Sequence, residues 1–219
     1  MISISNNSMQ AFNFVSNTAA FTAILNTATA NANTRIDINS NSLGTSTGGL
    51  MTVSAASTGT VDCINNQGTT ATLNMNSNTI RDISVVTIGA FTGIVNNSTT
   101  TAITTAVNIN DNFLEVNLGK LITFSGANNQ SLNLLRVAAS SASATCAVSI
   151  QRNEIRGITH TLTATAGTQT YIFNGAASGS TNMSSNKFIE LDVNTNVGNL
   201  PSVPDCFCRT KKISMATRW

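Results

Sequence analysis

The residues able to do chemistry are few and scattered. The carboxylates are Asp37, Asp62, Asp82, Asp111, Glu115, Glu154, Glu190, Asp192 and Asp205. A polysaccharide lyase or hydrolase needs convergent acids, often with calcium, or a basic residue in a groove. No two of these acids lie at a spacing that brings them together. His160 is the only histidine and has no Ser/Asp or Cys partner at a recognised spacing, so it reads as a solvated loop residue. Cys63 and Cys146 read as small buried hydrophobes. Cys206 and Cys208 sit one residue apart near two prolines, a spacing that suggests neither a zinc site nor a disulfide framework. The sequence therefore gives no catalytic, cofactor-binding or metal-ligating set, and the chain is expected not to be an enzyme.

Composition points the same way. Of 219 residues only 9% are charged, with a net charge of +2, while Asn (30), Thr (33) and Ser (24) make up about 40% of the chain. The 11 Lys and Arg are dispersed, not gathered into the footprint a nucleic acid demands. No run of about 18 apolar residues would span a membrane as a helix. With 41% hydrophobic residues and two prolines, the chain is not composed like a disordered one. A β-rich scaffold remains.

Such a scaffold needs positioning elements, and these repeat. Six segments share the order apolar, polar, apolar, two variable residues, Asn, one variable residue, apolar. They run from Phe12 to Asn17, Ile36 to Asn41, Leu73 to Asn78, Val107 to Asn112, Val148 to Asn153 and Thr181 to Asn186. Aligned on the final Asn, three columns are apolar at 17 of 18 positions, whereas the column Asn13, Asp37, Asn74, Asn108, Ser149, Asn182 is wholly polar. Alternation with period 2 makes each unit a strand with one buried face. A second strand follows the Asn, as in Thr79 to Ile83. A third ends in an Asn turn: Val61 to Asn66, Phe91 to Asn97, Ile122 to Asn129 and Tyr171 to Gly175. Three strands per unit close one coil. Since 37, 34 and 33 also halve almost evenly, two coils of about 18 residues per unit stand as an alternative.

Stacked coils about 4.8 Å apart would let equivalent Asn side chains hydrogen-bond in file. The expected ladder is Asn17, Asn41, Asn78, Asn112, Asn153 and Asn186. The alternative is that each Asn marks a solvated turn.

These units resemble right-handed parallel β-helix repeats of the pectin-lyase-like superfamily over about residues 10 to 195. Asn78 to Ser84 and Asn153 to Thr159 resemble, more narrowly, repeats of large bacterial cell-surface proteins. The resemblance implies an all-β parallel β-helix of about six coils over residues 1–200, with an irregular tail over 201–219. It implies a secreted or cell-surface stalk or adhesin with surface glycans or other surface proteins as partners, the alternatives being a carbohydrate-binding or polysaccharide-degrading β-helix or an ice-binding β-solenoid; composition adds the expectation that the chain is a fragment without its export signal.

Three further expectations come from the repeat frame. Arg81, Glu115 and Arg156 would form a vertical charge ladder if each unit is one coil. Residues 131–147 would form the largest lateral excursion. Six residues after each anchor stand Ser84, Leu118, Thr159 and Asp192, which is no hydroxyl row and disfavours ice binding.

Overall fold

The computed structural model describes residues 1–16, 18–28, 33–45, 47–98, 104–114, 120–138, 145–162, 168–176 and 178–195. The expected tail, 201–219, with Cys206 and Cys208, lies outside them, as do Asn17 and Glu115.

Every strand pairing in the structure is parallel, and the strands form three faces of a β-solenoid. The first face carries six strands, Ile2–Ser3, Arg35–Asp37, Thr72–Asn74, Ala106–Asn108, Ala147–Ser149 and Ser180–Asn182. The second face is split. A short row (Ser8–Met9, Ser42–Leu43, Thr79–Ile80, Phe113–Leu114) and a longer row (Phe12–Phe14, Met51–Ala56, Ile83–Thr87, Ile122–Phe124) run together in Glu154–Leu162, which pairs with Lys187–Thr195. The third face holds Phe21–Asn26, Val61–Asn66, Phe91–Asn96, Leu132–Val137 and Gln169–Asn174. Because among the described residues the third face has five strands against six on the first, fewer coils close there than the six expected.

One repeat unit is one coil. Ile36 pairs with Leu73, Leu73 with Val107 and Val107 with Val148, so the half-length alternative does not hold. The side chains facing inward along these columns fill one continuous core, in which Ile36, Ile38, Leu73, Met75, Val107, Ile109 and Ile150 are fully buried. Burying such aliphatic side chains contributes roughly 1.5–3 kcal/mol each.

Each coil turns from the first face to the second through a residue with left-handed backbone angles, immediately before the anchor Asn. These are Asn6, Ser40, Ser77, Asp111, Arg152 and Ser185, with φ between 52° and 61°. The conformation costs a non-glycine residue roughly 1–2 kcal/mol. In the first five coils the strained residue is held by its N–H, which donates to a carbonyl of the next coil, as in Ser77 to Asn110 (3.0 Å) and Asp111 to Gln151 (2.9 Å).

Two expectations are corrected by the register. Phe12–Phe14 pairs with Met51–Val53 on the second face, so it is not the strand that precedes an anchor. That strand in the first coil is Ile2–Ser3, and its anchor is Asn7. Leu132–Val137, expected to lie in an excursion, is a regular strand of the third face in register with Phe91–Asn96.

Candidate functional site

Asn7, Asn41, Asn78, Asn112, Asn153 and Asn186 stand in single file along the axis, one per coil. Asn78 shows the geometry. Its Oδ1 accepts both the backbone N–H and the Nδ2–H of Asn41, each at 3.0 Å. Its own Nδ2 donates to Oδ1 of Asn112 (3.1 Å) and to the carbonyl of Ile38 (2.8 Å). Two donated and two accepted bonds exhaust a carboxamide. Asn41, Asn112 and Asn153 repeat the pattern, so the four inner members are buried with no polar capacity to spare. The alternative of a solvated turn is excluded for these members.

A second file runs down the far edge of the third face. Nδ2 of Asn26 donates to Oδ1 of Asn66 (2.6 Å), and Nδ2 of Asn66 donates to Oδ1 of Asn96 (2.8 Å). Val137 follows in register and interrupts it, and Asn174 resumes the column beyond. The sequence marked these Asn residues as turn formers only; their placement at the last position of successive equivalent strands was the available signal. Gly68 is required beside this file. A Cβ there would meet the carbonyl of Ala28 and lie 2.6 Å from Nδ2 of Asn26.

Two outer files flank the first face. Nδ2 of Asn74 donates to Oδ1 of Asp37 (2.7 Å) and Nδ2 of Asn108 to Oδ1 of Asn74 (2.8 Å). Beside them Oδ1 of Asn39, Asn76 and Asn110 each accepts a backbone N–H of the following coil at 2.8 Å. Here the acceptor lies on the earlier coil, the reverse of the inner file.

Charged groups are spread over separate corners. Asp111 holds Arg152 through two bonds (2.7 and 2.8 Å), and this guanidinium keeps the Asp111 carboxyl below the usual carboxylate range. Arg35 meets Asp37 at 2.7 Å. Arg156 meets Glu154 on its own strand at 3.2 Å, and Lys187 approaches the same carboxylate at 3.6 Å. Arg156 thus meets Glu154, two residues away, while Glu115, the expected vertical partner, lies outside the described residues. No group of three His, Cys, Asp or Glu able to hold a metal ion occurs among the described residues.

His160 is a correction. It occupies an inward-facing strand position, is 1% exposed, and stacks on Phe124 with ring centroids 4.4 Å apart. Its Nε2 lies 3.0 Å from the carbonyl of Asn128, and its Nδ1 accepts from the Gln169 amide. Both ring nitrogens are satisfied in the neutral form, and burial pushes the imidazole below its ordinary value. Cys63 and Cys146 are buried free thiols, as expected, and burial raises both, Cys146 to about 11.

The hydroxyl row is also re-read. Insertions of unequal length separate the short row of the second face from its longer row, so counting from the anchor fails. Register aligns Asn13, Thr52, Ser84, Thr123, Thr159 and Asp192 in one column of six successive coils, with hydroxyls at its four inner positions. Around the corner between the second and third faces, a shallow cleft of about 370 Å³ is lined by Ser57, Thr60, Thr87 and Gln130 among others, with no ionisable side chain.

Compared with family models, curated proteins and solved structures, the chain matches none. No helix of the structure is long and apolar enough to cross a membrane, among the described residues.

Proposed function

We propose that this chain is a non-catalytic, repetitive β-helix segment of a secreted or cell-surface protein, serving as a stalk or adhesin and akin to the pectin-lyase-like and large bacterial surface repeats. One observation carries the reading. The buried amides of the inner file spend every hydrogen bond on the neighbouring coil, so the abundant Asn serves axial cohesion. A load along the axis is then resisted coil by coil, as solenoid energetics describe. Single-molecule pulling from the two ends tests this: the expected trace is a series of force steps with a contour gain of one coil each. Release of unsaturated sugars from polyuronates, or a single cooperative rip at low force, overturns it.

The outward hydroxyl column favours a second reading, binding of glycan hydroxyls or of ordered water along one flat face. A glycan array and an ice-recrystallisation assay separate the two ligands. Thr123→Lys, in the middle of the column, removes either activity if the face carries it.

A further inference from the structure

We propose that the cleft at the corner between the second and third faces binds a neutral sugar residue. The cleft has a cause in chain length. In the third coil five residues link Val85 to Phe91, whereas seven link Val53 to Val61 in the second coil and seven link Phe124 to Leu132 in the fourth. Val85 is in register with Val53 and Phe124, and Phe91 with Val61 and Leu132, so the short corner is set back between two longer ones.

Floor and walls are held in place by the coils themselves. The Gly89 N–H donates to the Gly59 carbonyl (2.8 Å), and a Cβ on Gly89 would lie 2.5 Å from the Thr58 carbonyl, so the floor is drawn against the second coil and carries no side chain there. Oγ1 of Thr87 accepts the Ser57 N–H (3.1 Å) and donates to the Ser57 carbonyl (3.2 Å). On the opposite side the N–H groups of Ser125 and Gly126 donate to Val85 and Val86, and pairing resumes where Phe91 donates to Ser131. Between those bonds, residues 127–130 make no backbone bond to the third coil among the described residues and stand off as the far wall. Asn128 in that wall is fixed by His160, whose Nε2 donates to its carbonyl.

The polar groups left over identify the ligand. Asn128 is 4% exposed and lines the cleft; its Oδ1 accepts only the Gln130 N–H, at 3.4 Å, and its Nδ2 has no acceptor among the described residues. A carboxamide this deeply buried is ordinarily bonded, so its open donor marks the place of a ligand acceptor. Across the cleft the exposed hydroxyls of Thr58 and Thr60 have no partner among the described residues. Nε2 of Gln130 donates to Oδ1 of Asn129 (3.0 Å), which leaves Oε1 of Gln130 and Nδ2 of Asn129 to face a ligand. Donors and acceptors therefore converge around the methyl groups of Ala90 and Ala127, with no ionisable side chain. Sugar hydroxyls pair with both kinds of group, the C–H face of a sugar ring suits the methyls, and a charged ligand would find no counter-ion. A volume of about 370 Å³ is at the small end of ligand sites and suits a single ring. The site deepens the glycan reading but uses none of the residues of the flat hydroxyl column.

Titrating the isotope-labelled full chain with the methyl glycosides of glucose, galactose, mannose and N-acetylglucosamine, followed by NMR of its backbone amides, tests this. At least one glycoside is expected to shift Thr58, Gly89, Asn128 and Asn129 together. Ala127→Trp, at an exposed position, fills the cleft and is expected to abolish these shifts. Asn128→Leu is expected to raise the dissociation constant about tenfold, the equivalent of one lost hydrogen bond. Thr123→Lys is expected to change nothing. Shifts absent with all four glycosides, or unaltered by Ala127→Trp, overturn the proposal, and tighter binding of glucuronate than of methyl glucoside overturns the neutral class. Shifts centred on Thr52 and Thr123 and lost in Thr123→Lys overturn this site while the broader glycan reading stands. If Asn128→Leu fails to fold by circular dichroism, Ala127→Trp decides.

Discussion

Oδ1 of Asn112 accepts two bonds from Asn78, one from its backbone N–H at 2.9 Å and one from its Nδ2 at 3.1 Å. The strands on either side of these residues belong to adjacent coils 34 positions apart, so this pair joins coils where the chain turns most sharply. Asn112→Leu leaves both Asn78 donors buried without partners, at roughly 1–3 kcal/mol each. Asn7→Leu, at an exposed end where water replaces the lost partner, costs less than about 1 kcal/mol. Urea denaturation of both variants checks the ordering, and equal losses would contradict a buried file.

Val137 offers the converse experiment. It stands between Asn96 and Asn174 in the interrupted second file. V137N forfeits roughly 1.5 kcal/mol or more of aliphatic burial and restores hydrogen bonds worth about 1 kcal/mol each. The expected change in denaturation midpoint is therefore near zero. The same substitution at Val107, a fully buried column with no amide neighbours in register, costs more than 2 kcal/mol by leaving the carboxamide unpaired.

How far the sequence reveals this fold depends on the loops. Five of the six ladder members follow from the columns because the strand before each anchor and the turn are constant in length. The first was misplaced since Phe12-Asn13-Phe14 to Asn17 imitates the motif that Ile2-Ser3-Ile4 to Asn7 actually fills. Its spacing was the clue: 24 residues to Asn41 are too few for a coil when the other coils take 33 to 41. Beyond the anchors, unequal insertions shift the frame. Ile122–Phe124 was read as a third-face strand and lies on the second, and Thr123 was lost from the hydroxyl column for the same reason. His160 hid in a Thr-rich run, although its period-2 position after Ile158 placed it inward.

Gly68 is fixed by the passage of the neighbouring coil. Gly68→Ala sets a methyl group against the Ala28 carbonyl and against Nδ2 of Asn26, the first member of the second amide file. The Gly68 N–H donates to the Asn26 carbonyl at 3.1 Å, so the Gly68 backbone retreats only by breaking an inter-coil bond, and a loss of roughly 1–3 kcal/mol is expected. Thermal unfolding followed by circular dichroism measures it.

Cys63 and Cys146 report on coil opening. Both thiols are buried and their ionisation is pushed up, so little thiolate exists near neutral pH to react. In a C206S/C208S chain, alkylation near neutral pH is expected to proceed only as fast as coils open, and to accelerate with sub-denaturing urea. Immediate labelling of both would show that the core is not closed around them.

His160 makes stability depend on pH, with a definite sign. Its imidazole is neutral in the fold, with Nε2–H donating to the Asn128 carbonyl and Nδ1 accepting from Gln169. Burial lowers its pKa below the ordinary 6.5, so at moderately acidic pH the unfolded chain holds a proton that the folded chain lacks. Stability then rises with pH through that interval; the contribution is complete above 6.5 and is lost as pH falls towards the folded value. Protonation also turns Nδ1 into a donor facing the Gln169 amide nitrogen, and only a flipped amide could accept it. His160→Phe retains the stacking on Phe124 and removes the titration. Its denaturation midpoint is expected to vary less with pH below 6.5 than that of the parent chain, and parallel profiles for the two would exclude His160 as the source.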